Sequence, residues 1–116
     1  MNKFYYLGSC STCARIIKEL GISPGKCSMQ DIKAEPIKPA QLEEMQKLSG
    51  SYEALFSRVA LKYRAMGLDK QNLSEAHYKK LILTEYTFLK RPVLIIGKQI
   101  FIGNSKSTLA AAKAAL

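Results

Sequence analysis

Two cysteines separated by two residues, Cys10-Ser11-Thr12-Cys13, are the residues of this chain best suited to chemistry. A thiol pair at this spacing can exchange with a disulfide in two steps. One sulfur attacks to form a mixed species, and the other resolves it to a short-loop disulfide. The attacking species is the thiolate, so the surroundings of the first sulfur decide its reactivity. The residues on either side supply those surroundings. Lys3-Phe4-Tyr5-Tyr6-Leu7 is short and aromatic and reads as a strand ended by Gly8-Ser9. From Ser11 the period changes: Cys13, Ile16, Ile17 and Leu20 fall on one face of a helix, with Arg15, Lys18 and Glu19 on the other.

Cys10 therefore stands just before a helix N-terminus. Unpaired N–H groups and the positive end of the dipole there favour an anion. Cys10 is expected to be the exposed thiolate and Cys13, on the apolar stripe, the shielded partner. Arg15 and Lys18 add positive charge, and Ser9, Ser11 and Thr12 offer hydroxyl donors to an anion at the same helix end. Two other readings of these thiols stay open. They could be incidental core residues, or Cys10, Cys13, Cys27 and His77 could form a Cys₃His zinc set, although the spacing resembles no knuckle pair. We expect no metal, with Cys27 as a small core residue and His77 as a surface or packing residue.

Two more constellations involve arginine. Arg91-Pro92 stands directly before a strand-like run, and a proline there is compatible with a cis peptide bond that would aim backbone at the thiols. Arg58, Lys62 and Arg64 form a basic group in which Arg58 and Lys62 would share a helix face. This group is either a solvated surface or an anion clamp, a task suited to the bidentate guanidinium fork.

The remaining elements must position these residues. Gly21 stops the first helix, Pro24-Gly25 turns the chain, and Lys26–Ile32 alternates as a second strand. Such a β-α-β unit prefers a parallel, right-handed crossover. Pro39 opens a helix containing Leu42, Met45 and Leu48. Leu55, Phe56, Val59, Tyr63 and Met66 give a further helical stripe that is stopped at Gly67 and leaves room for a short kink, and Ser74 caps a helix carrying Tyr78, Leu81 and Ile82. Val93–Ile96 and Gln99–Ile102 flank Gly97-Lys98 as a β-hairpin. Ser105 caps an alanine-rich final helix. The order predicts an α/β chain of thioredoxin-like plan: a four-stranded mixed sheet with helices on both faces and a helical insert at about residues 39–86. The whole chain, 1–116, reads as one such domain.

Composition narrows the class. The chain has 116 residues, of which 47% are hydrophobic and 23% charged, which excludes wholesale disorder. No apolar run approaches the roughly 18–20 residues of a membrane span. Lys and Arg number 18 against 9 acids. That excess favours anionic partners such as oxyanions, glutathione, nucleic acid or an acidic protein face, against the alternative of a solvated basic surface. No nucleic-acid motif accompanies the charge, so no specific nucleic-acid binding is expected. Three cysteines do not suggest a disulfide-stapled secreted domain. Leu7-Gly8-Ser9-Cys10 superficially resembles a lipoprotein cleavage site, but too few residues precede it for a signal peptide. The expected location is the cytoplasm.

Tyr6, Cys10-Ser11-Thr12-Cys13, Ser57-Arg58, Leu89-Lys90-Arg91-Pro92-Val93-Leu94-Ile95 and Ile102-Gly103 together resemble the arsenate reductase ArsC / Spx family. The likeness covers nearly the whole chain, and its most specific element is the Arg-Pro segment before the third strand. It implies a thioredoxin-like fold with a helical insert, a nucleophile at Cys10, oxyanion-binding arginines at Arg58 and Arg91, and a cis bond before Pro92. Ser11, Thr12, Arg15 and Pro92 complete the expected substrate site, with Cys13 as resolving thiol. The implied substrate is a small oxyanion or a thiol/disulfide, with glutathione or glutaredoxin as electron donor and no bound cofactor. Three positions depart from the arsenate reductase pattern. Gly103 stands where such enzymes have an arginine, Ala14 stands where family members usually have one, and Cys13 is retained as in Spx. The alternative that these imply is an Spx-like redox-switched regulator that binds the RNA polymerase α-subunit.

Overall fold

A computed structural model describes residues 2–116. The chain forms two compact units, one from Met1–Pro36 with Arg91–Leu116 and the other from Ile37–Lys90.

The first unit is built on a four-stranded mixed sheet. Its strands are β1 (Asn2–Tyr6), β2 (Cys27–Asp31), β3 (Val93–Ile96) and β4 (Gln99–Ile102), in the order β2-β1-β3-β4. β1 runs parallel to β2, with Tyr6 opposite Asp31, and antiparallel to β3, with Tyr5 opposite Val93. β3 and β4 form the expected hairpin, with Gly97 at φ +61°. The second strand is shorter at both ends than the alternation in Lys26–Ile32 predicts.

Between β1 and β2 runs α1 (Ser11–Leu20), ended by Gly21 at φ +66°. Gly21 offers its N–H to the carbonyl of Lys18, and the absence of a Cβ makes this left-handed cap cheap. Side chains alternate across the sheet, so Phe4 and Leu94 share one face. Ile16 and Leu20 of α1 pack there with Cys27 and with Ala112 of the C-terminal helix Lys106–Ala115. Ser105 caps that helix, its Oγ accepting the Thr108 N–H at 3.2 Å. Cys27 is fully buried in this core, as expected of a small apolar residue.

The second unit holds α2 (Pro39–Ser49), α3 (Leu61–Ala65) and α4 (Glu75–Thr84), joined by short 3₁₀ turns, so the C-terminal helix is α5. Pro39 occupies the first turn of α2, and Gln41 Oε1 accepts the Lys38 N–H at 3.0 Å. Ser74 caps α4 as predicted.

One predicted helix forms only over its later part, as α3. The stripe Leu55, Phe56, Val59, Tyr63 and Met66 breaks after a 3₁₀ turn at Glu53–Leu55. Phe56 turns extended, with φ −85° and ψ 127°, and bridges antiparallel to Leu89. The Ser57 N–H donates to the Phe88 carbonyl at 2.7 Å, and the Lys90 N–H to the Leu55 carbonyl at 2.8 Å. Aromatic packing holds this arrangement, with Phe56 ring centroids 4.9 Å from Tyr78 and 5.1 Å from Phe88. Leu55 and Phe56 are buried, but Val59 is 90% exposed and Met66 51%. Strand-like pairing with 88–90 replaces helix continuation. Arg58 consequently lies outside α3 and does not share a helix face with Lys62.

Candidate active site

Cys10 is the N-cap of α1, with φ −87° and ψ 118°, and its carbonyl accepts the Ala14 N–H at 3.1 Å. The turn Leu7-Gly8-Ser9-Cys10 delivers it there, closed by the Cys10 N–H to the Leu7 carbonyl at 3.0 Å. Cys10 is partly exposed and Cys13 buried, and both are free thiols. Placing a cysteine at the N-cap instead of the usual Ser, Thr, Asp or Asn sets a sulfur where the cap oxygen would be.

The electrostatics of the two sulfurs diverge. For Cys10 the largest influence is burial, which raises the pKa. The backbone N–H groups of Cys13 and Thr12, the Cys13 thiol and the Arg91 charge together outweigh it, so the Cys10 pKa is lowered. α1 has no side-chain cap hydrogen bond, so the N–H groups act on the sulfur as oriented dipoles. Cys13 goes the other way. Burial first, then its hydrogen bond to Cys10 and the charge there, push it up to about 11, against the opposing pull of the Leu7 backbone and Arg91. The pair is thus arranged so that Cys10 loses its proton before Cys13, which stays protonated and donates to it.

Sheet topology brings Arg91 to these thiols. Because β3 is antiparallel to β1, the Arg91-Pro92 segment that leads into β3 lies at the carboxyl end of β1, where the Cys10 turn begins. The Arg91 charge acts on both sulfurs. Its Nη1 is buried and has no hydrogen-bond partner. A buried guanidinium N–H without an acceptor is costly, and an anion at this position would satisfy it. The Arg91-Pro92 peptide is cis, and the Pro92 carbonyl accepts the Gly103 N–H at 2.9 Å.

The other expected site residues differ in their placement. Ser11 and Thr12 form the first turn of α1. Arg15 points along the exposed side of α1, its Nε 4.0 Å from Glu19. Arg58 belongs to the second unit. Its Nη2 donates to Glu53 Oε2 at 2.7 Å and to the Tyr78 hydroxyl at 3.0 Å, and its charge lies over the Tyr78 ring. The hydrogen bond to Glu53 is the main cause of its raised pKa. His77 is part of the α4 cap, its Nδ1 accepting the Ser74 N–H at 3.1 Å. Among the described residues no three His, Cys, Asp or Glu side chains are grouped to hold a metal ion, and no helix is long and apolar enough to cross a membrane.

Sequence reasoning missed Asp31, the last residue of β2. Its Oδ2 accepts the Gly8 N–H at 3.3 Å and its Oδ1 the Lys33 N–H at 3.0 Å. A glycine two residues before the nucleophile and a carboxylate ending the adjacent parallel strand are the signal that could have found it.

The ArsC family model matches residues 5–112, with the cysteine pair and Arg91 inside the matched span. The chain belongs to the ArsC family. No curated protein matches it. Among solved structures, this ArsC-family chain is similar to an arsenate reductase (ArsC) related protein from Brucella melitensis, at 25% identity and TM-score 0.70, over 95% of this chain and 92% of that one. It is also similar to an arsenate reductase from Vibrio cholerae, at 13% identity and TM-score 0.76, covering 99% and 97%, and to the YffB protein, at 24% identity and TM-score 0.78, covering 97% and 98%. The last two likenesses speak to the fold alone, which is the thioredoxin-like ArsC architecture of a four-stranded mixed sheet with five helices.

Proposed function

We propose that this ArsC-family chain is an arsenate reductase-like thiol oxidoreductase with Cys10 as its nucleophile. One observation carries the reading: a sulfur with a lowered pKa at a helix start acts beside a buried arginine nitrogen that has no partner. The first group supplies the attacking electron pair, and the second supplies a place for negative charge.

With a disulfide such as a glutathione adduct, the Cys10 thiolate attacks one sulfur. The old S–S bond breaks, one thiolate leaves, and Cys10 carries a mixed disulfide. Cys13 then loses its proton and attacks the Cys10 sulfur, releasing the second thiolate and leaving a Cys10–Cys13 disulfide. Two electrons pass from the pair to the substrate. Glutathione or glutaredoxin returns them, or replaces Cys13 as the resolving thiol. With an oxyanion such as arsenate, Cys10 displaces a hydroxyl from the central atom. The second thiol then attacks the Cys10 sulfur, and the electron pair of the bond to Cys10 leaves on the substrate atom. Arg91 neutralises substrate charge, and the first turn of α1, with Ser11 and Thr12, binds the same anion. In this reading Pro92 and Arg15 border the site, and Arg58 is a second anion-binding arginine.

The test is arsenate-dependent oxidation of glutathione in the presence of glutaredoxin, and reduction of a glutathionylated peptide by glutathione without glutaredoxin, each with Cys10→Ser as control. Turnover that survives the substitution, or no turnover with either substrate, overturns the assignment. A second reading is favoured by Gly103, which stands where arsenate reductases have an arginine and has φ +86°. It is an Spx-like regulator in which formation of the Cys10–Cys13 disulfide switches binding to the RNA polymerase α-subunit. A pull-down with the C-terminal domain of that subunit, negative in both redox states, removes it.

A further inference from the structure

We propose that Asp31 is a positioning residue, which fixes the Gly8-Ser9 turn and through it holds the Cys10 sulfur at the start of α1. The inference rests on the reading of Cys10 as nucleophile and adds to it a residue that lies on another strand.

The geometry is specific. β1 and β2 are parallel and end together, with Tyr6 opposite Asp31 and the Ile32 N–H donating to the Tyr6 carbonyl at 2.9 Å. From that last paired position the Asp31 carboxylate reaches both turns that leave the sheet. One oxygen takes the Gly8 N–H, the other the Lys33 N–H, and the Asp31 carbonyl takes the Glu35 N–H at 2.8 Å. The carboxylate is therefore held from its own side and has little freedom to move away from Gly8. Gly8 is fitted to this neighbour: a Cβ there would lie 2.5 Å from Asp31 Oδ2 and 3.5 Å from its Cγ. The short turn leaves only Ser9 between Gly8 and Cys10, so displacement at Gly8 is passed directly to the sulfur.

The direction of the effect separates positioning from charge. A carboxylate acting only as a nearby negative charge would raise the Cys10 pKa, and its removal would lower it. A carboxylate acting through the turn has the opposite sign. Its removal lets the sulfur leave the N–H groups of Thr12 and Cys13, and the pKa rises.

The experiment measures the pH profile of Cys10 alkylation by iodoacetamide, read by peptide mass, and the amide exchange rate of Gly8 by NMR. The expected result for Asp31→Ala is an upward shift of about half a pH unit, equivalent to about a threefold loss of thiolate below the pKa, with faster exchange at Gly8. Asp31→Asn keeps an oxygen to hold the turn and loses the charge, so its profile lies at or below that of the wild type. Gly8→Ala shifts the profile in the native background and much less in the Asp31→Ala background, because the obstructing oxygen is gone. An unchanged or lowered Cys10 pKa in folded Asp31→Ala, or a Gly8→Ala effect of the same size in both backgrounds, overturns the proposal. If Asp31→Ala does not fold, a Gly8→Ala variant whose Cys10 profile is unchanged from the wild type overturns it. If wild-type Cys10 titrates like free cysteine, the nucleophile reading fails, whereas unchanged Gly8 exchange in Asp31→Ala is the failure of this inference alone.

Discussion

Arg91 and Arg58 are both arginines that family resemblance assigns to oxyanion binding, yet the two regions treat them differently. Arg91 stands at the sheet end where the thiol turn starts, with a buried nitrogen that lacks an acceptor. Arg58 has its guanidinium engaged by Glu53 and Tyr78, with about half of its side chain exposed. An unsatisfied donor is prepared for a ligand, whereas a satisfied one must first give up its partners. The comparison teaches that the same residue type contributes to binding in proportion to what it must release.

The largest expected effect removes what both arginines would serve. Cys10→Ser lowers thiol turnover on the order of a thousandfold or more, measured as glutathione-coupled consumption of the substrate. Next comes Arg91→Ala, expected to reduce turnover about ten- to a hundredfold through loss of charge stabilisation. Its Cys10 alkylation profile also moves to higher pH, since the Arg91 charge lowers the Cys10 pKa. Arg58→Ala is expected to be the milder arginine variant, and equal losses for the two would erase the distinction drawn here.

Cys13→Ala sharpens the picture within the thiol pair. It removes a donor that favours the Cys10 thiolate, so Cys10 labels about two- to fivefold more slowly at neutral pH. In the wild type, Cys10 labelling rises at a pH below the ordinary value of 9.0, whereas the buried Cys13 stays unlabelled over the same range.

The smallest effect belongs to the second unit. Lys62 pairs with Glu85, and its hydrogen bond is the first cause of the lowered Glu85 pKa. A depressed folded-state carboxyl pKa stabilises the fold above the unfolded value and ceases to do so as pH falls through the folded one. Lys62→Ala should therefore cost only a few tenths of a kcal/mol at neutral pH, because Lys62 is largely exposed. The difference between the melting curves should vanish as the solution is acidified below the ordinary carboxylate range.

Where local pattern and tertiary pairing agree, the chain could be read directly. The β1–α1 junction has an aromatic strand, a glycine turn and a clean apolar stripe, and it placed Cys13 on the buried side with Cys10 the more exposed of the two. The Ser74 and Ser105 caps and the Gly97-Lys98 hairpin are equally local. The stretch around Leu55–Met66 failed because its apolar spacing suits a helix, while its backbone at Phe56 pairs with Leu89, far along the chain. Asp31 was illegible for the same reason: its contact with Gly8 exists only once β1 and β2 align in register. Arg58 was visible as a charge, but its ties to Glu53 and Tyr78 were not.

The neighbour of β1 on one side is β2, soon after it in sequence, but on the other side it is β3, which arrives only after the whole Ile37–Lys90 unit. Lys3 must wait for Ile95. Such distant pairing slows folding, because the loop must close before the contacts that reward closure exist. On a ribosome Cys10 is made early and Arg91 late. During that interval the Cys10 thiol has neither its finished sheet nor the Arg91 charge that lowers its pKa, so it is a weaker nucleophile on the nascent chain than in the folded one.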